Sequence, residues 1–173
     1  MRGTLWMLGL MALSLAVWPG FIRSQEEGTT DTKFVKWASE TDIAEIALGQ
    51  LARKQSGNAK IQEFGMHLAD NHAQSSQAFL KIAKKHGFKP ATDMNKQQKD
   101  MVDKLSALKG ADFDRQFLLG QVKAHEEVAS LFRNQMKNGE NPDLKAFAGK
   151  ALPMIEEHLR KAKELAGQLG DKK

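Results

Sequence analysis

The sequence predicts an all-α protein whose main part is a bundle of four long helices. Three observations lead to this fold class. Apolar residues recur three and four positions apart in four stretches of about 25 residues, which is the spacing of one buried helix face. Two of the connections between these stretches are short and contain glycine and asparagine, whereas the middle connection is long. Two tight helical hairpins joined by a crossover are therefore expected.

The chain opens with a segment that predicts export. Arg2 precedes an apolar run from Leu5 to Trp18, which ends at Pro19-Gly20. This pattern is typical of a secretory signal peptide, whereas a membrane-spanning helix needs about 20 apolar residues. We predict a signal peptide at residues 1–24, a flexible lead-in at residues 25–33 and the bundle domain at residues 34–170. The expected location is periplasmic or secreted, with outer-membrane association or an uncleaved N-terminal anchor as alternatives.

Composition narrows the classes of partner. The 173 residues carry a net charge of +5 and include no cysteine, which excludes a disulfide framework and a lipid-anchored cysteine. The lysines are spread along polar helix faces, and their densest run, from Lys81 to Lys89, is looser than a nucleic-acid patch. We predict no nucleic-acid partner and no spanning segment in the mature protein, and the sequence names no protein partner.

The first hairpin is expected between Phe34 and His86. Its first helix should run from Phe34 to Gln55, where Ser56-Gly57-Asn58 supplies turn chemistry. Its second helix should run from Ala59 to His86, with Gly87 as the stop signal. Each apolar face contains one residue that does not belong in a dry core, Glu45 on the first helix and His72 on the second.

A crossover from Phe88 to Ala111 follows. Pro90 stands near its start, and Gly110 stands at its end. A short helix is predicted inside it because apolar and amphipathic residues between Gln98 and Leu108 repeat with helical spacing. A crossover of this length lets the chain return along the outside of a bundle.

The second hairpin is expected between Asp112 and Leu169. Its first helix should run from Asp112 to Asn138 with His125 on the apolar face, and a turn ending at Pro142 leads to its second helix. The apolar face of that last helix, from Leu144 to Leu169, is interrupted only by His158. Pro153 lies inside it and is predicted to bend the helix without ending it.

The four polar residues are predicted to meet at one level of the bundle. Glu45 and His72 are equally far from the first turn, and His125 and His158 are equally far from the second. At a rise of 1.5 Å per residue, the first pair lies roughly 20 Å and the second roughly 25 Å from its turn. In a bundle of about 40 Å both pairs are near mid-height, wherever the two turns lie.

Three imidazoles and one carboxylate are a ligand set for a divalent transition metal, namely zinc, copper, iron or manganese. Asp42, one turn before Glu45, is a candidate fifth ligand. Four nearby acids could orient the ligand histidines or form an ordinary charged surface: Asp70, Glu126, Glu156 and Glu157. Histidines with an ordinary pKa near 6.5 should release the metal as the pH falls towards 5. His67 and His86 are predicted to be surface residues.

Several segments resemble one bacterial family. They are Phe34-Val35, Glu45-Ile46-Ala47-Leu48-Gly49, Asp70-Asn71-His72, Phe113-Asp114, His125, Leu144-Lys145-Ala146-Phe147-Ala148, Leu152-Pro153 and His158-Leu159. Over roughly Asp31 to Leu169 the chain is similar to the exported ferritin-like family of unknown function numbered 4142, often labelled as outer membrane protein. The resemblance implies a ferritin-like four-helix bundle outside the cytoplasm. It implies little about activity. A weak internal repeat, with an offset of about 83 residues, fits two similar hairpins.

The site differs from that of ferritin-like di-iron proteins, which place a glutamate three residues before a histidine on two helices. Here those positions hold Ala69 and Ile155, and the chain contains no tyrosine. A di-iron oxidase is therefore not expected, and the sequence leaves open whether the protein is an enzyme. The leading hypothesis is an exported bundle that binds one metal ion. The alternative is a non-enzymatic cell-envelope or stress-related interaction module whose buried histidine and glutamate layer is structural.

Overall fold

A computed structural model describes residues 28–170 and confirms the all-α class. Five helices make up this part of the chain: α1 (Thr30–Gln55), α2 (Ala59–Lys85), α3 (Lys96–Ser106), α4 (Gly110–Asn138) and α5 (Pro142–Gly170). The short helix predicted inside the crossover is α3. The predicted signal peptide, residues 1–24, lies outside the described residues. None of the helices between residues 28 and 170 combines the length and the apolar character needed to cross a bilayer.

Helix α1 begins at Thr30, so residues 30–33 belong to the helix and not to a lead-in. The Thr29 side chain caps it by accepting a hydrogen bond from the backbone N–H of Thr32 at 3.2 Å. Asp31 is buried in the first turn, where its carboxylate accepts hydrogen bonds from the Gln135 side chain at 2.6 Å and the Asn141 backbone at 2.8 Å. Polar contacts therefore fix this end of the helix. Such contacts produce no periodic pattern of apolar residues, so the sequence pattern did not reveal where the helix begins.

The two hairpins pack side by side with neighbouring helices antiparallel. Helix α1 packs on α2 and α4, and α5 packs on α4 and α2. Phe34 near the start of α1 contacts Phe132 near the end of α4, with ring centroids 5.0 Å apart. Lys60 near the start of α2 bonds to Gln168 near the end of α5 at 3.1 Å. The two turns therefore lie at opposite ends of the bundle.

The crossover runs alongside α1 from Ser39 to Gln55. Near its start, the Ala91 backbone N–H donates to the Ser39 hydroxyl at 2.7 Å. At its other end, the Gln55 side chain donates to the Ser106 carbonyl at 2.9 Å. Helix α3 lies between these anchors and packs against α1 and α4, which places it over one side of the bundle.

Apolar side chains fill the bundle in two clusters. One contains Phe34, Phe79 and Leu144 near the second turn, and the other contains Ile61 and Phe117 towards the first turn. All five side chains are almost completely buried. Burial on this scale contributes roughly 1.5–3 kcal/mol for each large apolar side chain. The predicted polar residues lie between the two clusters, so a polar layer crosses the middle of the core.

Helix α5 continues through Pro153. Proline has no backbone N–H, so it cannot donate to the carbonyl of Gly149 one turn earlier. Pro153 is exposed, which places the missing hydrogen bond on the solvent side of the helix. The helix thus passes the proline without ending, as predicted.

Helices α1 and α2 approach most closely at two glycines, Gly49 and Gly65. A Cβ atom at Gly49 would lie 2.4 Å from the Gly65 carbonyl oxygen, and one at Gly65 would lie 2.7 Å from the Gly49 carbonyl oxygen. Both obstacles are backbone atoms, which cannot rotate away. This contact lies one turn from Glu45 on α1, so it sets the spacing of the two helices at the polar layer.

Replacing Gly49 by alanine is expected to lower the free energy of unfolding by about 1–3 kcal/mol, because the new methyl group forces the two helix backbones apart. Chemical denaturation of the purified variant measures this change. Gly167→Ala is the matched control, because a Cβ at that exposed helical position meets nothing within 4 Å. The control should gain about 0.5–1 kcal/mol from helix propensity. Equal stability of the two variants would show that the close contact relaxes freely.

Candidate metal centre

Three histidines from three different helices converge in the polar layer. His72 on α2, His125 on α4 and His158 on α5 each place one ring nitrogen within 4.8 Å of those of the other two. Their exposed fractions are only 2%, 0% and 4%. The ring centroids lie 5.3–5.9 Å apart, and the rings therefore face a common centre enclosed by the bundle.

Hydrogen bonds orient two of these rings. The Nδ1 atom of His72 lies 2.8 Å from a carboxylate oxygen of Asp42 on α1. The Nδ1 atom of His125 lies 3.1 Å from the backbone carbonyl of Gln121, one turn earlier on α4. A carbonyl oxygen only accepts, so His125 carries its proton on Nδ1 and keeps the lone pair on Nε2. Such fixing of one ring nitrogen is the usual arrangement of histidines that bind a metal through the other.

The third ring, His158, is held by an amide. Its Nε2 atom lies 3.1 Å from the side-chain nitrogen of Asn71 on α2. A rotation of this amide by half a turn would place the Asn71 oxygen at the same position, where it would accept a hydrogen bond from the N–H at Nε2. In that arrangement Nδ1 of His158 carries a free lone pair directed into the bundle.

One nitrogen of each ring has no hydrogen-bond partner among residues 28–170: Nε2 of His72, Nε2 of His125 and Nδ1 of His158. The Gln121 side-chain oxygen and the Thr41 hydroxyl, both buried, are also without partners in the described part of the chain. Leaving a buried polar atom unpaired costs roughly 1–3 kcal/mol. The three histidines could therefore hold a metal ion.

Burial, together with the neighbouring His72, lowers the pKa of His125 to about 3. Burial likewise lowers the pKa of His158 to about 3, helped by His125 and His72. Both rings are therefore neutral at pH 7, the form that binds metals. The expectation from the sequence assumed an ordinary pKa near 6.5 for these histidines, and that assumption is wrong for His125 and His158 in the folded protein. The sequence pattern does not reveal how far desolvation lowers a pKa.

The two acids of the layer have different contacts. Glu45 is buried and accepts a hydrogen bond from the Gln121 amide at 2.9 Å, and it lies outside the group of three nitrogens. Burial raises its pKa, against the opposing effects of His72 and Gln121. Burial also raises the pKa of Asp42, although its hydrogen bond to His72 acts in the opposite direction. Asp42 thus orients a ring in this structure.

The four acids considered as orienting partners do not contact the rings. Asp70 is exposed, and Glu126, Glu156 and Glu157 form surface ion pairs with Lys163, Arg133 and Arg160. The orienting roles belong instead to Asp42, Gln121 and Asn71. Sequence reasoning missed Asn71 as a partner because it stands beside His72 on α2 yet bonds to His158 on α5. For Gln121 the sequence did contain a signal, since this polar residue lies on the apolar face of α4 one turn before His125.

The two remaining histidines lie on the surface, as predicted. The His67 side chain is 64% exposed and lies 3.7 Å from Glu63. His86 bonds to Asp143 at 2.8 Å near the end of the bundle. Neither belongs to the central layer.

The fold is similar to that of two solved structures. A DUF305 fragment from Deinococcus radiodurans matches with a TM-score of 0.72 and 13% identity, over 82% of this chain and 97% of that one. A secreted DUF305 protein from Streptomyces coelicolor matches with a TM-score of 0.69 and 12% identity, over 82% and 94%. At such identities the likeness concerns the fold alone. A search of curated proteins found no match.

A family model matches most of the chain. Residues 22–165 fit the model described as a domain of unknown function, DUF4142. The matched range includes all three histidines of the layer and all their orienting partners. The chain therefore belongs to the DUF4142 family.

Proposed function

We propose that this protein binds one divalent transition-metal ion through His72, His125 and His158. Two observations carry the proposal. The three buried rings each place one nitrogen within 4.8 Å of those of the other two, and each ring has one nitrogen without a hydrogen-bond partner among residues 28–170. A purely structural polar layer would leave these buried ring nitrogens unpaired, at a cost in stability. A shared metal ion would satisfy all three at once.

The geometry supports a metal after a small inward movement of the rings. Zinc–nitrogen bonds of about 2.0–2.1 Å place tetrahedral ligands roughly 3.3 Å apart. The present limit of 4.8 Å therefore requires each ring to move inward by about 1 Å or less. Side-chain rotation can supply this movement while the outer hydrogen bonds keep each tautomer.

Neutral imidazoles favour zinc, copper or iron over manganese, which prefers oxygen ligands. Zinc and copper are the first candidates because copper binds such sites most tightly and zinc commonly uses three histidines. Glu45 is the candidate fourth ligand and would have to turn away from Gln121. Its negative charge would offset part of the ion's charge in a dry core. Asp42 serves in this proposal by orienting His72.

The proposal also includes a ferritin-like four-helix fold and a location outside the cytoplasm. Two antiparallel hairpins and a crossover that runs alongside α1 support a ferritin-like four-helix plan. The apolar run from Leu5 to Trp18 supports export to the periplasm or the medium, and one similar structure is described as secreted. The three rings are buried between helices, which favours holding a metal over catalysis on a large substrate.

Adding metal to chelator-treated protein at pH 7.5 tests the proposal. A ligand at 100 times its dissociation constant adds about 2.7 kcal/mol to the stability, which raises the melting temperature of a domain of this size by about 5–10 °C. Zinc, copper, iron and manganese are compared, and bound metal is counted by elemental analysis. His125→Ala should stay helical and lose this increment, whereas the exposed control His67→Ala should keep it.

The outcome also distinguishes the alternatives. No shift with any of the four metals, together with equal destabilisation by His125→Ala with and without metal, would support a structural polar layer and an interaction module.

Glu45→Gln tests whether the metal is held by the three histidines alone or by the histidines and Glu45. If Glu45 is a ligand, the affinity falls at least tenfold in this variant and stays unchanged in Glu127→Gln, which removes an exposed acid nearby.

A further inference from the structure

The three imidazoles are enclosed, so a metal ion needs a path to them. A groove of about 400 Å³ lies between α2 and α5, and His158 and Asn71 form part of its wall. The hydrogen bond between these two residues therefore lies at the edge of the polar layer, next to the groove. A second hollow of about 320 Å³ continues along the same pair of helices and is also lined by Asn71.

The opposite side of the layer is less open. The cavity there has about 90 Å³ and is lined by Glu45 and Thr41. Residues of the crossover cover it, including Asn95, Gln98 and Met101. None of the three histidines lines this cavity. An ion arriving there would have to pass the carboxylate and α1 before reaching a ring nitrogen.

The mouth of the α2–α5 groove carries groups that bind metals. His67 and Glu63 lie on α2 with 3.7 Å between imidazole and carboxylate, and their side chains are 64% and 66% exposed. Glu157 lines the same groove from α5. Imidazole and carboxylate together are good ligands for zinc and copper. Two such groups bind weakly and reversibly, which suits a site of first contact.

We propose that the α2–α5 groove is the path by which the metal reaches the three-histidine centre, and that His67 and Glu63 form an outer, transient metal site at its mouth. The ion passes from this pair to His158, with the Asn71 amide at the point of passage. The inference rests on the proposed function and adds a route and a second site to it.

Stopped-flow loading with zinc, reported by a chromogenic chelator that competes for the ion, tests the outer site. The double variant His67→Ala/Glu63→Gln should load about fivefold more slowly, because it loses the imidazole and the carboxylate that hold the ion at the mouth of the groove. Its final zinc content should equal that of the unaltered protein. The matched control is His86→Ala/Glu127→Gln, which makes the same two changes away from the groove and should load at the original rate.

Narrowing the groove tests the route itself. Lys161→Trp adds a bulky ring to the wall of the groove one turn after His158. It should slow zinc loading and zinc release by the same factor, about tenfold, and leave the dissociation constant unchanged. Equal slowing is the sign of a higher barrier on a path, since a damaged site changes the equilibrium. Lys104→Trp makes the same exchange in a separate groove between α3 and α4 and should change neither rate.

The two proposals fail in different ways. If the unaltered protein holds no zinc at equilibrium, the metal site is wrong. If it holds zinc and both Lys161→Trp and the double variant load at the original rate, the site stands and the route is wrong. Circular dichroism confirms that each variant remains helical before its rates are compared.

Discussion

Lowering the pH from 7.5 to 5 is expected to reduce the stability of the metal-free protein, and two buried histidines contribute a loss of about 4 kcal/mol. His125 and His158 have pKa values lowered by burial to about 3 in the folded protein, against about 6.5 in the unfolded chain. Between these values the unfolded chain binds more protons, so stability falls as the pH falls. Each histidine contributes about 2 kcal/mol over this range. Urea denaturation at a series of pH values measures the loss.

The acids of the layer act in the opposite direction. Burial raises the pKa values of Asp42 and Glu45, so the folded state takes up their protons first and regains some stability as the pH falls. A variant that lacks one of the two histidines separates their effect on stability from that of the acids. His125→Leu should lose about 2 kcal/mol less than the unaltered protein over the same pH range, because both proteins share the effect of the acids. A loss equal to that of the unaltered protein would show that His125 does not carry the effect.

Replacing His125 by leucine is also expected to abolish zinc binding while raising the stability of the metal-free protein at pH 7.5 by about 1–3 kcal/mol. The Nε2 atom of His125 is completely buried and has no partner in the described chain, and removing an unpaired buried polar group recovers its desolvation cost. Leucine has a similar volume and suits the two neighbouring apolar clusters. Denaturation of the chelator-treated proteins, with zinc counted in parallel, measures both effects.

A stabilised variant that no longer binds zinc would mean that the site costs stability for the sake of its ligand. His67→Leu is the control, and this exposed change should stay within about 0.5 kcal/mol. If His125→Leu proves less stable than the unaltered protein without metal, the imidazole supports the fold, and the structural polar layer becomes the better explanation.

Helical periodicity was enough to predict the fold class and the level of the site. His72, His125 and His158 interrupt otherwise apolar faces, and counting outward from the two turns places them at one height. This reasoning succeeds because an antiparallel hairpin has a fixed register, so distance from the turn is height in the bundle. The same rule placed Glu45 in the layer but did not reveal that its carboxylate bonds to Gln121.

The hydrogen-bond partners of the rings could not be predicted because they depend on side-chain direction and on contacts between helices. Asp42 lies one turn before Glu45 and Asn71 stands beside His72, yet each reaches a ring on a different helix. The start of α1 was missed for a similar reason, since Asp31 is buried by contacts with the distant Gln135 and Asn141. The lowered pKa values follow from desolvation, which only a packed structure reveals.

The division of the layer between the two hairpins has a consequence for folding kinetics. His72 belongs to the first hairpin, whereas His125 and His158 belong to the second, so the three nitrogens meet only after the hairpins have docked. Contacts within each hairpin are local in sequence and form quickly, and docking joins distant segments more slowly. A metal held by all three rings would act as a cross-link that is absent until docking is complete. Such a link slows unfolding and leaves the folding rate almost unchanged, so the ion would set how long the two hairpins stay together.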